Sequence, residues 1–433
     1  MEFMFDNPNK SLQQIEVPQL YEKPFVPSKI EKLSMLISYP IAFLYTYILF
    51  PNNDGNRNVI TAIFTVLFCV SAELLYHKQK AAKESFIWLG SIAAILVSML
   101  LGRNQVWGYG ITLFFIHFYA VYWVLSRSGR LMENMSGPFV PLDMINGYFV
   151  FPFKHFFLRI KVLWMTVTSG IKKKEKRESG ISAWIAVAVG LVLFCLAGSL
   201  LASADETFNR IMGNLLKIFN FEKFTEILIR FMISLPVGAY LYGLIIGTGM
   251  EDTSVLRKKK DLILQKIDEL RKVPVIVWTL IMAGFCALYL VFFFIQGSYI
   301  FGAFTRTLPE GFTVAQYARQ GFFELCQIMA LNFLLLWIVI KSSNEDIRNN
   351  RLAMAMCSII LIESILFSVT AFSKLILYIS CFGFTPRRIQ SSWLVFVLFC
   401  GSVLAIYSLW TRKKSFRIWI LISCISLALT HLY

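Results

Sequence analysis

The chain has 433 residues, of which 57% are hydrophobic and 16% charged, with a mean hydropathy of +0.63; soluble domains carry about 25% charge. This composition excludes an ordinary water-soluble fold, and 40 Phe, 17 Tyr and 10 Trp fit lipid-facing helices with interfacial belts. The formal net charge of +16 does not point to nucleic acid, because the basic residues follow the loops.

Residues 1–32 form a polar tail with Pro18, Pro24 and Pro27 and lack the regions of a cleavable signal. A helix needs about 20 apolar residues to cross a bilayer. Runs of that kind cover 33–50, 58–76, 85–101 and 106–125, then 181–202, 225–249, 275–300, 314–340, 352–380, 391–411 and 416–433. The expected fold is all-α, a polytopic transmembrane helical bundle of about 11 spans. It divides into the tail, a four-span bundle (33–125), a basic connector (126–180) and a seven-span bundle (181–433).

Lys and Arg alternate between the segments joining these runs, counting Arg319 and Arg417 near the starts of their runs with the segments before them: 4, 3, 10, 7, 3 and 4 on one side, 1, 1, 3, 2 and 2 on the other. Cytoplasmic segments retain positive charge, so the amino terminus is expected in the cytoplasm and the carboxyl terminus outside. Two cytoplasmic segments are long. The first holds Gly137-Pro138, an aromatic and basic stretch from Phe153 to Lys161, and the cluster Lys172, Lys173, Lys174, Lys176 and Arg177. It fits an in-plane interfacial helix followed by a tether to anionic lipid, or a plain positive-inside linker. Residues 250–274, with Arg257-Lys258-Lys259-Lys260 among Leu262, Ile263, Ile267 and Leu270, fit a short amphipathic helix.

Ionisable side chains within spans are costly. Glu73 with His77, and Glu226 with Arg230, stand four apart near span ends and fit local helix pairs. In the ninth span Glu363, Thr370 and Lys374 share one face. Glu363 lies near the middle, about 16 Å along the helix from Lys374. Its partner is on another helix, or its carboxyl is neutral. In the eighth, Thr313 and Gln316 have capping-box spacing, placing the helix start at Val314. A polar face of Gln316, Gln320, Glu324 and Gln327 follows, interrupted by Gly321, which permits a bend or a close approach. That face either glues helices together or lines a cavity. The tenth opens with Thr385 as cap and Pro386 as first helical residue. Arg387 and Arg388 then oppose the helix dipole, so an anionic neighbour is expected: Asp205, Glu206, Glu310 or a ligand.

Ser203-Ala204-Asp205-Glu206-Thr207-Phe208, then Tyr317-Ala318-Arg319-Gln320-Gly321-Phe322-Phe323-Glu324-Leu325, then Leu377-Tyr378, Phe382-Gly383-Phe384-Thr385 and Arg388-Ile389 resemble a family of bacterial multi-spanning membrane proteins. That family is catalogued as a domain of unknown function. The resemblance covers roughly residues 181–400, with Glu206 where the family has proline and Phe384 where it has leucine. It implies a bacterial cytoplasmic-membrane location and brings no activity with it.

The eight cysteines stand alone, seven of them in apolar runs, and His77, His117, His155 and His431 are scattered. There is no H-E-x-x-H, G-x-S-x-G or P-loop, so no catalytic residue, metal or cofactor is expected. The expected function is a non-enzymatic binding, transport or accessory protein for an anionic or amphiphilic ligand. Its candidate residues are Asp205, Arg210, Arg319, Glu324, Glu363, Lys374, Arg387 and Arg388, all but Glu363 in the outer half. A transporter would carry inverted repeats, yet no internal repeat is clear, and Pro236 with Gly238 is the strong break within a span. Two alternatives remain: a membrane enzyme using Glu363 or Glu324 on a lipid-linked substrate, and a scaffold or sensor subunit docking a cytoplasmic partner through its basic loops.

Overall fold

The computed structural model describes residues 26–51, 56–103, 106–172, 221–305 and 321–433, with isolated positions between 189 and 207 and at Thr313 and Gln316. Four helices open the chain: α1 (Lys29–Leu49), α2 (Arg57–Tyr76), α3 (Lys83–Leu100) and α4 (Gly108–Arg127). The connector follows as α5 (Val140–Ile145), a π-helical turn (Asn146–Val150), α6 (Phe151–Lys154) and α7 (Leu158–Lys172). Then come α8 (Phe221–Tyr242), continued by a π-helical turn at Gly243–Gly247, and α9 (Thr253–Glu269). The chain ends with α10 (Val275–Thr305), α11 (Phe322–Ser342), α12 (Arg351–Phe382), α13 (Pro386–Thr411) and α14 (Phe416–Thr430).

Among the described residues nine helices are long and apolar enough to span a bilayer: α1 to α4, α8 with its continuation to Met250, and α10 to α13. These are the helices of a multi-pass membrane protein. The expected span at 181–202 lies largely outside the described residues. The expected last span is the 15-residue α14, short of the roughly 20 residues that a crossing requires.

Local chemistry sets the helix ends. Ser28 and Glu31 exchange capping-box hydrogen bonds at α1, and Asn350 accepts from the N–H groups of Leu352 and Ala353 at α12. Thr313 and Gln316 make the reciprocal capping contacts their spacing predicts, at 3.1 and 3.3 Å. The helix does not run on unbroken from there. Gly321 has φ +74, a left-handed conformation, and α11 starts afresh at Phe322.

Helix α8 lies antiparallel along α1. Arg230 Nη1 donates to Thr46 O near the end of α1 (3.1 Å), and the Tyr242 hydroxyl donates to Glu31 O near its start (3.1 Å). Arg127, at the end of α4, binds Glu73 and Tyr76 at the end of α2, the opposite side from the start of α8. The chain has therefore changed sides between Arg127 and Phe221. Helix α14 returns to α3: the Ser98 hydroxyl donates to His431 O, and the Tyr119 hydroxyl on α4 donates to Cys424 O at 3.0 Å. The core there is aromatic, built on buried Trp88, Tyr119, Tyr122 and Trp123. A second core joins α10, α11 and α12 through Met282, Cys286, Val339, Cys357 and Ile360, with α13 alongside α12.

The connector docks on α8 through its glycines. A Cβ on Gly243 would stand 2.6 Å from Pro152 O, and one on Gly247 2.6 Å from the His155 side chain. Glu251 latches the same corner, with Lys154 Nζ and His155 Nε2 each at 2.8 Å. A Gly243→Val variant is expected to lose about 1–3 kcal/mol from overpacking against backbone, read as a lower melting temperature in detergent; an unchanged melt would contradict this docking. Arg159, expected on an interfacial helix, turns inward instead. It is 2% exposed, donates to Leu235 O at 3.1 Å and lies 3.5 Å over the Tyr39 ring. Phe153 on α6, Phe157 in the turn after it, and Ile160, Trp164 and Val167 on α7 form an exposed apolar stripe. The predicted amphipathic helix at 250–274 is α9, with Leu256 buried.

Candidate functional site

Glu363 is the one acidic residue in the interior of α10, α11 and α12. Helix α10 carries no charge, α11 has none between Glu324 and Lys341, and α12 has Lys374 beyond Glu363. At 1.5 Å per residue, Glu363 is about 18 Å along α12 from its first residue, Asn332 about 15 Å from the matching end of α11, and Tyr289 about 21 Å from the start of α10. The three meet at one level, midway through the helices.

Their side chains form a directed set. The Tyr289 hydroxyl donates to Asn332 Oδ1 (2.7 Å), Asn332 Nδ2 donates to the Ser364 hydroxyl (2.8 Å), and Ser364 donates to Ile360 O (2.9 Å). Ser368 donates to Ser364 O one turn further on. The three hydroxyl protons are committed within this set, and the Asn332 amide directs an N–H to Ser364; none of these groups bonds to Glu363. Glu363 is 3% exposed and neither carboxyl oxygen has a hydrogen-bond partner. The Cys286 thiol, a weak donor, approaches it but is directed to Met356 O at 3.8 Å. A buried carboxyl left in this state costs stability, as polar groups retained for function do.

One turn beyond Glu363 on the same face stands Phe367, 0% exposed. Its ring centroid lies 4.6 Å from that of Phe293, 5.2 Å from Tyr289 and 5.7 Å from Phe292. The stripe of Glu363, Thr370 and Lys374 read from the sequence is thus cut by an aromatic block. Beyond it, Lys374 Nζ would stand 3.8 Å from a Cβ on Gly321, and Glu324 is the acidic group whose charge reaches it. The bend at Gly321 therefore brings together Glu324 and Lys374.

Arg388 has a different environment from the one expected. Its Nη1 donates to Phe382 O at 2.9 Å and to Gly383 O, and its guanidinium carbon lies 3.9 Å over the Tyr378 ring. None of the described ion pairs includes it. The carbonyls at the end of α12 carry the negative pole of that helix, and this offsets the cation that α13 disfavours. Thr385 is the cap residue of α13 and Pro386 its first helical residue, though the Thr385 side chain makes no capping bond. Arg387 is exposed. Asp205 is exposed and accepts from the Thr207 N–H at 2.8 Å. Arg210, Arg319, Glu310, Lys173, Lys174, Lys176 and Arg177 lie outside the described residues, and Lys172 closes α7.

Glu226 and Arg230 form the expected local pair at 2.8 Å. Glu73 does not turn to His77 in the way expected but takes a two-point contact from Arg127, at 2.8 and 2.7 Å. Glu84, which the sequence did not single out, is a buried junction. It accepts from Ser136 N–H and hydroxyl, from Trp88 Nε1 and from Arg417 Nε. Nor did the sequence point to Tyr289, Asn332, Ser364 or Phe367. A lone Asn within the apolar run Leu331–Leu336 was the available signal.

A titrating group lies in the connector. Burial pushes the Asp143 carboxyl up to about 7, only partly offset by the Met132 N–H at 3.0 Å. The unfolded group ionises near the ordinary carboxylate value, about 3.9. Its folded form thus holds a proton that the unfolded form has lost, and stability falls as pH rises from about 4 through 7. Asp143→Asn keeps the acceptor without the charge. It is expected to raise the melting temperature at pH 8 and leave it unchanged at pH 4; equal shifts at both would exclude titration of this group.

The sequence profile of the domain of unknown function DUF4153 matches residues 62–432. The chain belongs to the DUF4153 family. The DUF4153 match extends beyond the 181–400 stretch of resembling motifs, taking in α3 and α4 and reaching the end of α14. Both the Glu363 level and the Arg388 turn lie within the DUF4153 region. No curated protein and no solved structure matches the chain. Among the described residues no group of three or more His, Cys, Asp and Glu is placed to hold a metal.

Proposed function

We propose that this protein binds or moves a small anionic or amphiphilic molecule in the bacterial cytoplasmic membrane, with its amino terminus inside, and that the α10, α11 and α12 sector is its working part. The observation that carries the proposal is the buried, unpartnered carboxyl of Glu363. Two buried ionisable groups that anchor helix ends, Glu84 and Arg127, are held by several hydrogen bonds each, and where a buried cation keeps unpaired N–H groups, as Arg159 does, it still donates to a carbonyl and stacks on a ring. Glu363 has no such bond, and intramembrane ionisable groups without partners mark pathways and relays.

In this reading the ligand's charged group meets Lys374 and exposed Arg387 at the far end of α12 and α13, and Glu363 acts deeper. Arg388 holds the loop that presents them. A span at 181–202 supplies the change of side between Arg127 and Phe221. The basic run Lys172–Arg177 then stands at the inner leaflet beside anionic lipid.

Flux tests the reading. Protein in proteoliposomes is assayed with labelled inorganic phosphate and with a fluorescent anionic lysophospholipid. Uptake of either by wild type, lost in Glu363→Gln, is expected. Lys374→Met is expected to weaken uptake at least tenfold with an unaltered elution profile. Equal uptake by protein-free liposomes for both probes, or failure of Lys374→Met to accumulate, would place these charges in the structural class.

A further inference from the structure

We infer that Glu363 is an occluded proton-binding site, held as the neutral acid between α10, α11 and α12 and shut from the Lys374 end by an aromatic gate at Phe367. This deepens the reading above and rests on its placement of the site at Glu363.

An ionised carboxylate in hydrocarbon needs a cation or several donors. Helix α10 faces it with Cys286 and Tyr289, and the Tyr289 proton is given to Asn332. Helix α11 has no charged residue between Glu324 and Lys341, and α13, alongside α12, has none between Arg388 and Arg412. On α12 itself the nearest charges are Arg351 and Lys374, about 18 and 16 Å away along the axis. At the same level the Ser364 hydroxyl is spent on Ile360 O and the Asn332 amide directs an N–H to Ser364, with no bond from either to Glu363. The neutral acid is the form that this surrounding tolerates, so one proton is part of the resting site.

The gate follows from the rings. Phe367 has no exposed surface and is packed by Phe292, Phe293 and Tyr289 directly between Glu363 and the polar end at Thr370 and Lys374. Release of the proton leaves one negative charge on Glu363. That charge requires water or a cation at the carboxyl, and on this side Phe367 must swing aside to admit either. Tyr289 belongs to both the gate and the hydrogen-bonded set through Asn332 to Ser364. A ring movement is therefore linked to the polar level that holds Glu363.

Infrared spectroscopy of the full chain in lipid nanodiscs tests both parts. At neutral pH the difference between wild type and Glu363→Gln is expected to show a protonated-carboxyl stretch, moving slowly on transfer to D2O. Phe367→Leu, which keeps an apolar side chain, is expected to speed that shift at least tenfold. Loss of ionised-carboxylate bands in Glu363→Gln, with no protonated band, would overturn the site. An unchanged exchange rate in folded Phe367→Leu, with Phe367→Ala as a second variant, would overturn the gate. A protonated band with no flux of either probe sinks the transport reading and leaves the proton site standing; flux without that band does the reverse.

Discussion

Arg127→Ala is expected to be the most destabilising single substitution in the α2–α4 corner. The guanidinium is 5% exposed and spends four hydrogen bonds there: two on Glu73, one on Tyr76 O at 2.8 Å and one on Gln79 O at 3.0 Å. Tyr76 O closes α2, where a cation is favoured by the dipole, and Gln79 O lies in the turn just beyond it. Breaking a buried pair costs about 3–5 kcal/mol, and because Glu73 is half-exposed and rehydrates, the lower end applies. The thermal midpoint in detergent should fall by several degrees. Arg127→Lys should recover only part, since an ammonium lacks the planar fork that meets both carboxylate oxygens. His77→Ala should leave the midpoint in place; the reverse pattern would restore the local Glu73 and His77 pair.

Glu363→Met is expected to do the opposite to stability while removing function. Met has the length and flexibility of Glu and no group that needs a partner. Relieving an unsatisfied buried polar group is expected to raise stability by about 1–3 kcal/mol. Flux and the protonated-carboxyl band should both vanish. Such a trade of stability against activity marks a residue kept for function. If Glu363→Met melts lower than wild type, the carboxyl has a partner that holds the helices together, and the site should be sought elsewhere.

These two residues show how far the sequence carries. Both were visible as ionisable groups at or within apolar runs, and the runs themselves gave nine of the expected helices to within a few residues at most ends, because hydrocarbon admits only saturated backbone. The interruption at Gly321 and the cap positions of Thr313 and Thr385 were legible too, since these signals are local, whereas the left-handed turn at Gly321 and the lack of a capping bond from the Thr385 side chain came from the structure. Partners were not legible. Glu73 was assigned to His77 because in a sequence near neighbours are what is visible, and Arg388 to a distant acid or an anionic ligand because a cation in a first helical turn calls for one. Arg127 is 54 positions from Glu73, and the carbonyls that engage Arg388 have no side-chain signature at all.

The Glu363 level divides in the same way. By itself the sequence determined that a carboxyl sits midway along an apolar helix, about 16 Å from the nearest lysine on that helix, since helical rise fixes distances along one element. Only the tertiary structure decided that Tyr289, Asn332 and Ser364 reach the same level yet turn their donors to each other, and that Phe367 divides the stripe that the sequence joined. The physical reason is that a helix fixes which residues share its own face, whereas whether a buried group finds a partner depends on the depth and rotation of the helices packed against it.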